Sequence, residues 1–94
     1  MAWYVLETRY VPEKYVEVRP RHREYLATLA EQGVVAIAGP LEDNVGGLVI
    51  LQAENRDELQ KIIDADPYHQ EGALAERTVR EYTPVLGAWL PGSE

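Results

Sequence analysis

Apolar positions along the chain fall into short patterned stretches separated by turn-forming residues. Ala2 to Tyr10 is rich in aromatic and β-branched residues, with Trp3 and Val5 on one side of an extended chain and Tyr4 and Leu6 on the other. That pattern predicts a strand covered on both faces. Val34 to Pro40 (VVAIAGP) is a compact apolar run that predicts a second buried strand, ending or bending at Gly39 and Pro40. Gly47 to Ala53 has no polar face until Gln52 and predicts a third, antiparallel to the second. Glu76 to Leu86 alternates charged with apolar or aromatic residues, and together with Pro84 this predicts a fourth strand nearer a sheet edge.

Helical spacing occupies the intervals. Arg21 to Gln32 sets His22, Leu26, Leu29 and Ala30 along one side and Arg23, Glu24, Glu31 and Gln32 elsewhere, with Pro20 tolerable in the first turn and Gly33 placed as a C′ glycine. Val11 to Arg21 is interrupted by Pro12 and Pro20 and is harder to assign. Asn55 with Glu58 three residues on forms a capping-box pattern that starts a second helix. Its stripe is Leu59, Ile62, Ile63 and Asp66, so a carboxylate stands where the next core residue is expected. Pro67 then stops the helix and biases Asp66 away from the α region. Between the second and third strands, Leu41 to Gly46 is acidic and turn-like, with Asn44 and the pair Gly46-Gly47 expected to supply positive φ.

The order β, α, β, β, α, β predicts an α+β, ferredoxin-like fold: an antiparallel sheet with both helices on one face. Helices on one side leave the other side of three apolar strands open. A homodimer through the open sheet face is therefore expected, with room for a higher oligomer. Residues 1–94 make one domain, with 87–94 as an irregular tail in which Trp89 needs a packing partner.

Composition narrows the partners. Sixteen acidic residues against nine basic give a net charge of −7, which disfavours nucleic acid and anionic lipid surfaces. The absence of cysteine excludes disulfides, thiolate metal sites and thiol nucleophiles. With no apolar run near the ~20 residues needed to span a bilayer and no signal-like N-terminus, a cytoplasmic protein is expected.

The candidate chemistry rests on His22 and Asp66, each on the apolar stripe of its helix. An imidazole beside a carboxylate suits general acid or base work. The bland alternatives are a core histidine satisfied by a backbone carbonyl and an aspartate capping the turn after its helix. Topology raises an objection: a first helix starting near Pro20 would leave the two groups up to ~16 Å apart, and one starting around Glu13 or Val16 would bring them closer. Asp64, Asp66, His69 and Glu71 lack the i, i+4 ligand spacing of a helical zinc site, so no metal is expected, and His69 reads as a surface residue beside Tyr68. No glycine spacing fits a phosphate loop, and Thr28 and Ser93 have no triad partners. Tyr25, Tyr68 and Tyr82 are candidates to line a ring-binding cavity, although tyrosines at these spacings are core or edge residues more often than not.

Arg19, His22, Tyr25-Leu26, Gly33, Gly39-Pro40, Gly47 and Asp66-Pro67-Tyr68 with Gly72 resemble, in order and spacing, the pattern of the YciI-like (YCII-related) family. The resemblance runs from Trp3 to about Pro84. It implies a small dimeric protein of the dimeric α+β barrel superfamily, with His22 and Asp66 as the acid/base pair, Gly39, Pro40 and Gly47 shaping a pocket wall, and Tyr68 beside the substrate. Arg19 would hold an anionic group. Relatives are linked to elimination or isomerisation of ring compounds, and muconolactone isomerases and cofactor-free monooxygenases share the barrel.

Three functions follow as expectations. The first is a cofactor-independent lyase or isomerase with a His-Asp pocket for a carbonyl- or carboxylate-bearing small molecule. The second is a non-catalytic dimeric module that binds a small molecule or a protein. The third, a cofactor-free monooxygenase, requires Trp3, Tyr4 or Tyr25 to project into the pocket of His22.

Overall fold

The computed structural model describes residues 2–88, with strands β1 (Ala2–Tyr10), β2 (Val35–Pro40), β3 (Gly46–Ala53) and β4 (Leu74–Tyr82) and helices α1 (Tyr15–Glu31), α2 (Arg56–Asp64) and α3 (Pro67–Gln70). All strands join one antiparallel sheet in the order β2-β3-β1-β4, the expected ferredoxin-like arrangement. Trp89 and the rest of the tail beyond Ala88 lie outside the described residues. Among the described residues no helix is long and apolar enough to cross a membrane.

Register assigns the faces. Tyr4 pairs with Leu51 and Leu6 with Val49, and all four are buried under the helices with Leu29, Leu59 and Ile63. The opposite set, Trp3, Val5, Leu48 and Ile50, is half-buried on the uncovered face, where exposed Glu7 and Arg9 end the apolar stretch. A second, smaller core of Tyr10, Val18, Tyr68 and Ala73 lies between α1, α3 and the end of β1.

Several boundaries differ from the sequence reading for physical reasons. β2 is not a buried strand: only Val35 of its six residues is buried, because it is an outer strand whose Ala36, Ala38 and Gly39 are too short to attract cover. β4 does occupy the other edge, but it ends at Tyr82, so Pro84, which cannot donate to the ladder, lies beyond it. α1 begins at Tyr15 and carries Pro20 inside it rather than in its first turn. Pro20 and the residue four before it, Val16, are both exposed, so the carbonyl that Pro20 cannot serve lies on the wet side of the helix.

The helix ends behave as their residues dictate. Gly33, at φ 78°, closes α1 with bonds from its own N–H to the Ala30 carbonyl (3.0 Å) and from Val34 N–H to the Leu29 carbonyl (2.9 Å), a Schellman ending. Asn55 caps α2 by accepting from Glu58 N–H at 2.9 Å. In the β2–β3 turn Asn44 does take positive φ, at 57°, but Gly46 and Gly47 do not. Those two glycines are needed for space instead: a Cβ on Gly46 would lie 2.1 Å from the Thr8 carbonyl oxygen of β1.

Gly46→Ala is therefore expected to destabilise the fold by about 1–3 kcal/mol, since backbone must move to admit one methyl group. A shift of the urea midpoint measures it, and a midpoint equal to that of the unmodified protein contradicts the packing argument.

Candidate active site

Because α1 starts before Pro20, His22 stands in the body of the helix and not at its beginning. α2 ends at Asp64, and the chain then turns through Asp66, whose extended backbone (ψ 128°) is what Pro67 requires of the residue before it. From there Asp66 caps α3, accepting from Tyr68 N–H at 2.9 Å. The same carboxylate receives His22 Nδ1 at 2.8 Å on Oδ1 and 3.0 Å on Oδ2. The capping and pairing roles thus coexist in one side chain, and the separation expected for a late-starting helix is replaced by direct contact. Since Asp66 is only 8% exposed, the two interactions form largely away from water.

A carboxylate only accepts, so the geometry assigns the proton to Nδ1 and leaves Nε2 as the ring nitrogen open to a ligand. The ring plane is fixed as well: Tyr68 stacks on His22 with centroids 3.7 Å apart and planes inclined by 11°.

One turn before His22 on α1, Arg19 donates from Nε to the Tyr68 hydroxyl and from Nη2 to Asn44 Oδ1, both at 3.3 Å. Its guanidinium lies 4.8 Å from the ring centre of Tyr15 and 5.7 Å from that of Tyr10. Those two rings stack on each other at 4.6 Å. The hydrogen bond to Tyr68 raises the pKa of Arg19 above its ordinary value, which keeps it charged. Tyr10 is held above the ordinary tyrosine value, chiefly by burial and next by Tyr68, with Arg19 opposing. Arg19 makes no ion pair among the described residues.

These groups border a cavity of about 360 Å³ between α1 and the β2 side of the sheet. All seven residues expected at the site line it: Arg19, His22, Gly39, Pro40, Gly47, Asp66 and Tyr68. Gly47 is necessary there, because a Cβ would stand 2.6 Å from the Tyr10 hydroxyl. Of the other tyrosines weighed, neither Tyr25 nor Tyr82 reaches the cavity, and Trp3 and Tyr4 are absent from its wall too. Tyr25 instead donates its hydroxyl to the Ile62 carbonyl at 2.7 Å, tying α1 to α2. His69 is half-buried and outside the cavity, 3.4 Å from Asp64 and in contact with Arg77.

Arg23, which helical spacing sets off the side of His22, lines the same cavity, as does Tyr10, and Asn44 and Tyr15 hold Arg19; the sequence pattern assigns none of the four to the site. A signal existed for some of them: Tyr10 shares the alternation set of Tyr4 and Leu6, and Tyr15 and Arg23 lie four residues either side of Arg19. Asn44 offered none, since its contact depends on how the hairpin folds over the helix.

The family model of the YCII-related domain matches residues 2–83. No curated protein sequence matches the chain. Among solved structures, 5-chloro-2-hydroxyhydroquinone dehydrochlorinase (TftG) from Burkholderia phenoliruptrix AC1100, in complex with 2,5-dihydroxybenzoquinone, aligns at TM-score 0.75 and 20% identity, covering 86% of this chain and 93% of that one. An antibiotic biosynthesis monooxygenase aligns at TM-score 0.63 and 14% identity over 92% of this chain and 100% of its own. A NIPSNAP domain protein from Burkholderia xenovorans aligns at 0.59 and 12% over 97% and 99%. At these identities the likeness establishes the fold alone, an α+β, ferredoxin-like arrangement with a four-stranded antiparallel sheet.

Tyr25 gives this region a defined alkaline response. Burial first, and the Asp66 charge second, raise its pKa, so its contribution is complete below the unfolded tyrosine value of about 10 and is lost as pH rises through the higher folded value. Tyr25→Phe is expected to cost about 1 kcal/mol near pH 8 through the lost hydrogen bond, and to make the fall in stability between pH 10 and 12 shallower. Urea midpoints across that range test it; an equally steep fall in the variant would count against this assignment.

Proposed function

The chain belongs to the YCII-related domain family, and we propose that it is a cofactor-independent enzyme in which His22 and Asp66 move a proton on a small organic substrate bearing a carbonyl or carboxylate. The observation that carries this reading is the doubly anchored carboxylate. Tyr68 N–H fixes Asp66, Asp66 holds Nδ1 of His22, and Nε2 is thereby left as the ring nitrogen to act on a ligand in the cavity that His22 lines. As base, Nε2 takes the proton; Asp66 then stabilises the imidazolium. Arg19 is the anion clamp in this scheme. Its resting partners, a phenol and an amide, are neutral, so a substrate oxyanion offers it a stronger, charge-assisted bond.

Elimination or isomerisation on a hydroxylated ring suits this equipment, because each needs a base at carbon or oxygen and a cation beside the oxygen that gains charge. The dehydrochlorinase with its bound dihydroxybenzoquinone supports choosing such rings as first substrates. A cofactor-free monooxygenase is less well supported, since Trp3, Tyr4 and Tyr25 do not line the cavity. The fold also supports a homodimer in which a second copy covers the open sheet face. Trp3, Val5, Leu48 and Ile50 on that face are half-buried, and Ile37 and Tyr82 are 46% and 45% exposed.

With 5-chloro-2-hydroxyhydroquinone as probe, His22→Ala is expected to slow chloride release by about 10²–10⁴-fold, with far-ultraviolet circular dichroism unchanged. Asp66→Asn should lower the rate by a comparable factor. A wild-type rate no greater than that of His22→Ala would leave a binding module as the better description. For the assembly, Ile50→Asp should convert a dimer to a monomer in sedimentation velocity, whereas an unaltered sedimentation coefficient would place the interface elsewhere.

A further inference from the structure

Arg23 lines the same cavity as Arg19 and lies four residues further along α1, about 6 Å along its axis. Neither arginine forms an ion pair among the described residues. The contrast with Arg21 is sharp: on the same helix, away from the cavity, it makes a bidentate pair with Glu71 at 3.0 and 2.5 Å. In a chain with sixteen acidic residues against nine basic, two cavity arginines without carboxylate partners run against the overall charge. Among the described residues Asp66 is the one carboxylate in the cavity wall, and both its oxygens are directed at His22. The cavity is therefore a cationic pocket within an acidic protein, a distribution that concentrates anions where the bulk surface repels them. Beside the arginines on α1 the wall is made by Ala27 and Ala30, and on β2 by Ala36 and Ala38, small apolar side chains that leave room for a flat body.

We propose that Arg23 is a second anion-binding residue of this site, and that the site takes small planar dianions, one anionic oxygen held by Arg19 and the other by Arg23. The proposal rests on the cavity being the substrate site of the preceding reading but not on His22 acting as a base. It narrows the substrate class from a carbonyl or carboxylate compound to a flat molecule with two acidic oxygens, on a ring or a short conjugated chain.

Binding of matched probes tests it: isophthalate (two carboxylates), benzoate (one) and benzamide (none), followed by the arginine Nε–H resonances of ¹⁵N-labelled protein. The wild type is expected to bind isophthalate at least about ten-fold more tightly than benzoate, with both the Arg19 and the Arg23 signals moving. Arg23→Gln should remove that preference, Arg23→Lys should restore part of it, and Arg21→Gln should leave it intact. His22→Gln should keep the dianion preference while losing chloride release, which separates failure of this proposal from failure of the proton-transfer reading. Equal affinity for isophthalate and benzoate, an Arg23→Gln variant that binds like the wild type, or no movement of either arginine signal at millimolar isophthalate would each overturn it.

Discussion

The Asp66 carboxylate is the joint on which the site is built. It ends one helical segment and begins the next by accepting Tyr68 N–H, and from the same position it accepts His22 Nδ1 across the gap to α1. A nearly buried carboxylate without such donors would be strongly unfavourable. Here the donors that satisfy the charge are the groups that need to be oriented. The backbone N–H aims Tyr68, Tyr68 stacks on His22, and its hydroxyl accepts from Arg19. One anion thereby sets the positions of a proton-transfer group, an aromatic wall and a cation.

That arrangement explains why the small second core lies where it does. Tyr10, Val18, Tyr68 and Ala73 are buried beneath the site, while the large core under the middle of the sheet holds the scaffold. The tyrosines do two jobs. Their rings supply apolar packing, and their hydroxyls and faces hold Arg19 without neutralising it. A carboxylate in the place of those rings would pair with the guanidinium and leave it less ready for a ligand. The charge of the cavity and the charge of the surface can therefore differ in sign within one small domain.

How much of this was legible beforehand depends on the kind of information each residue carries. Local pattern gave the order of the four strands and the two longer helices, though not the short α3, together with the Schellman glycine Gly33, the Asn55 cap and the inward placement of His22 and Asp66, because each depends on neighbours within a turn or two. Family resemblance added the roles proposed for Gly39, Pro40, Gly47 and Tyr68, all of which do border the cavity. Periodicity misjudged β2, since an apolar run of small residues looks alike at the centre and at the edge of a sheet. The Gly46-Gly47 pair was misread because a glycine kept for clearance from Thr8 and Tyr10 has the same appearance in the sequence as one kept for its backbone angle.

The chain's own pattern thus determined the fold class and the side of each helix on which an ionisable group would stand. Only the tertiary structure decided that α1 reaches back to Tyr15, that His22 meets Asp66 across 44 positions of sequence, and that Asn44 and Tyr10 close around Arg19. The reason is geometric. Spacing fixes a residue's direction about the axis of its own element, whereas the level at which two elements pass each other is fixed by loop lengths, sheet order and packing of the whole domain.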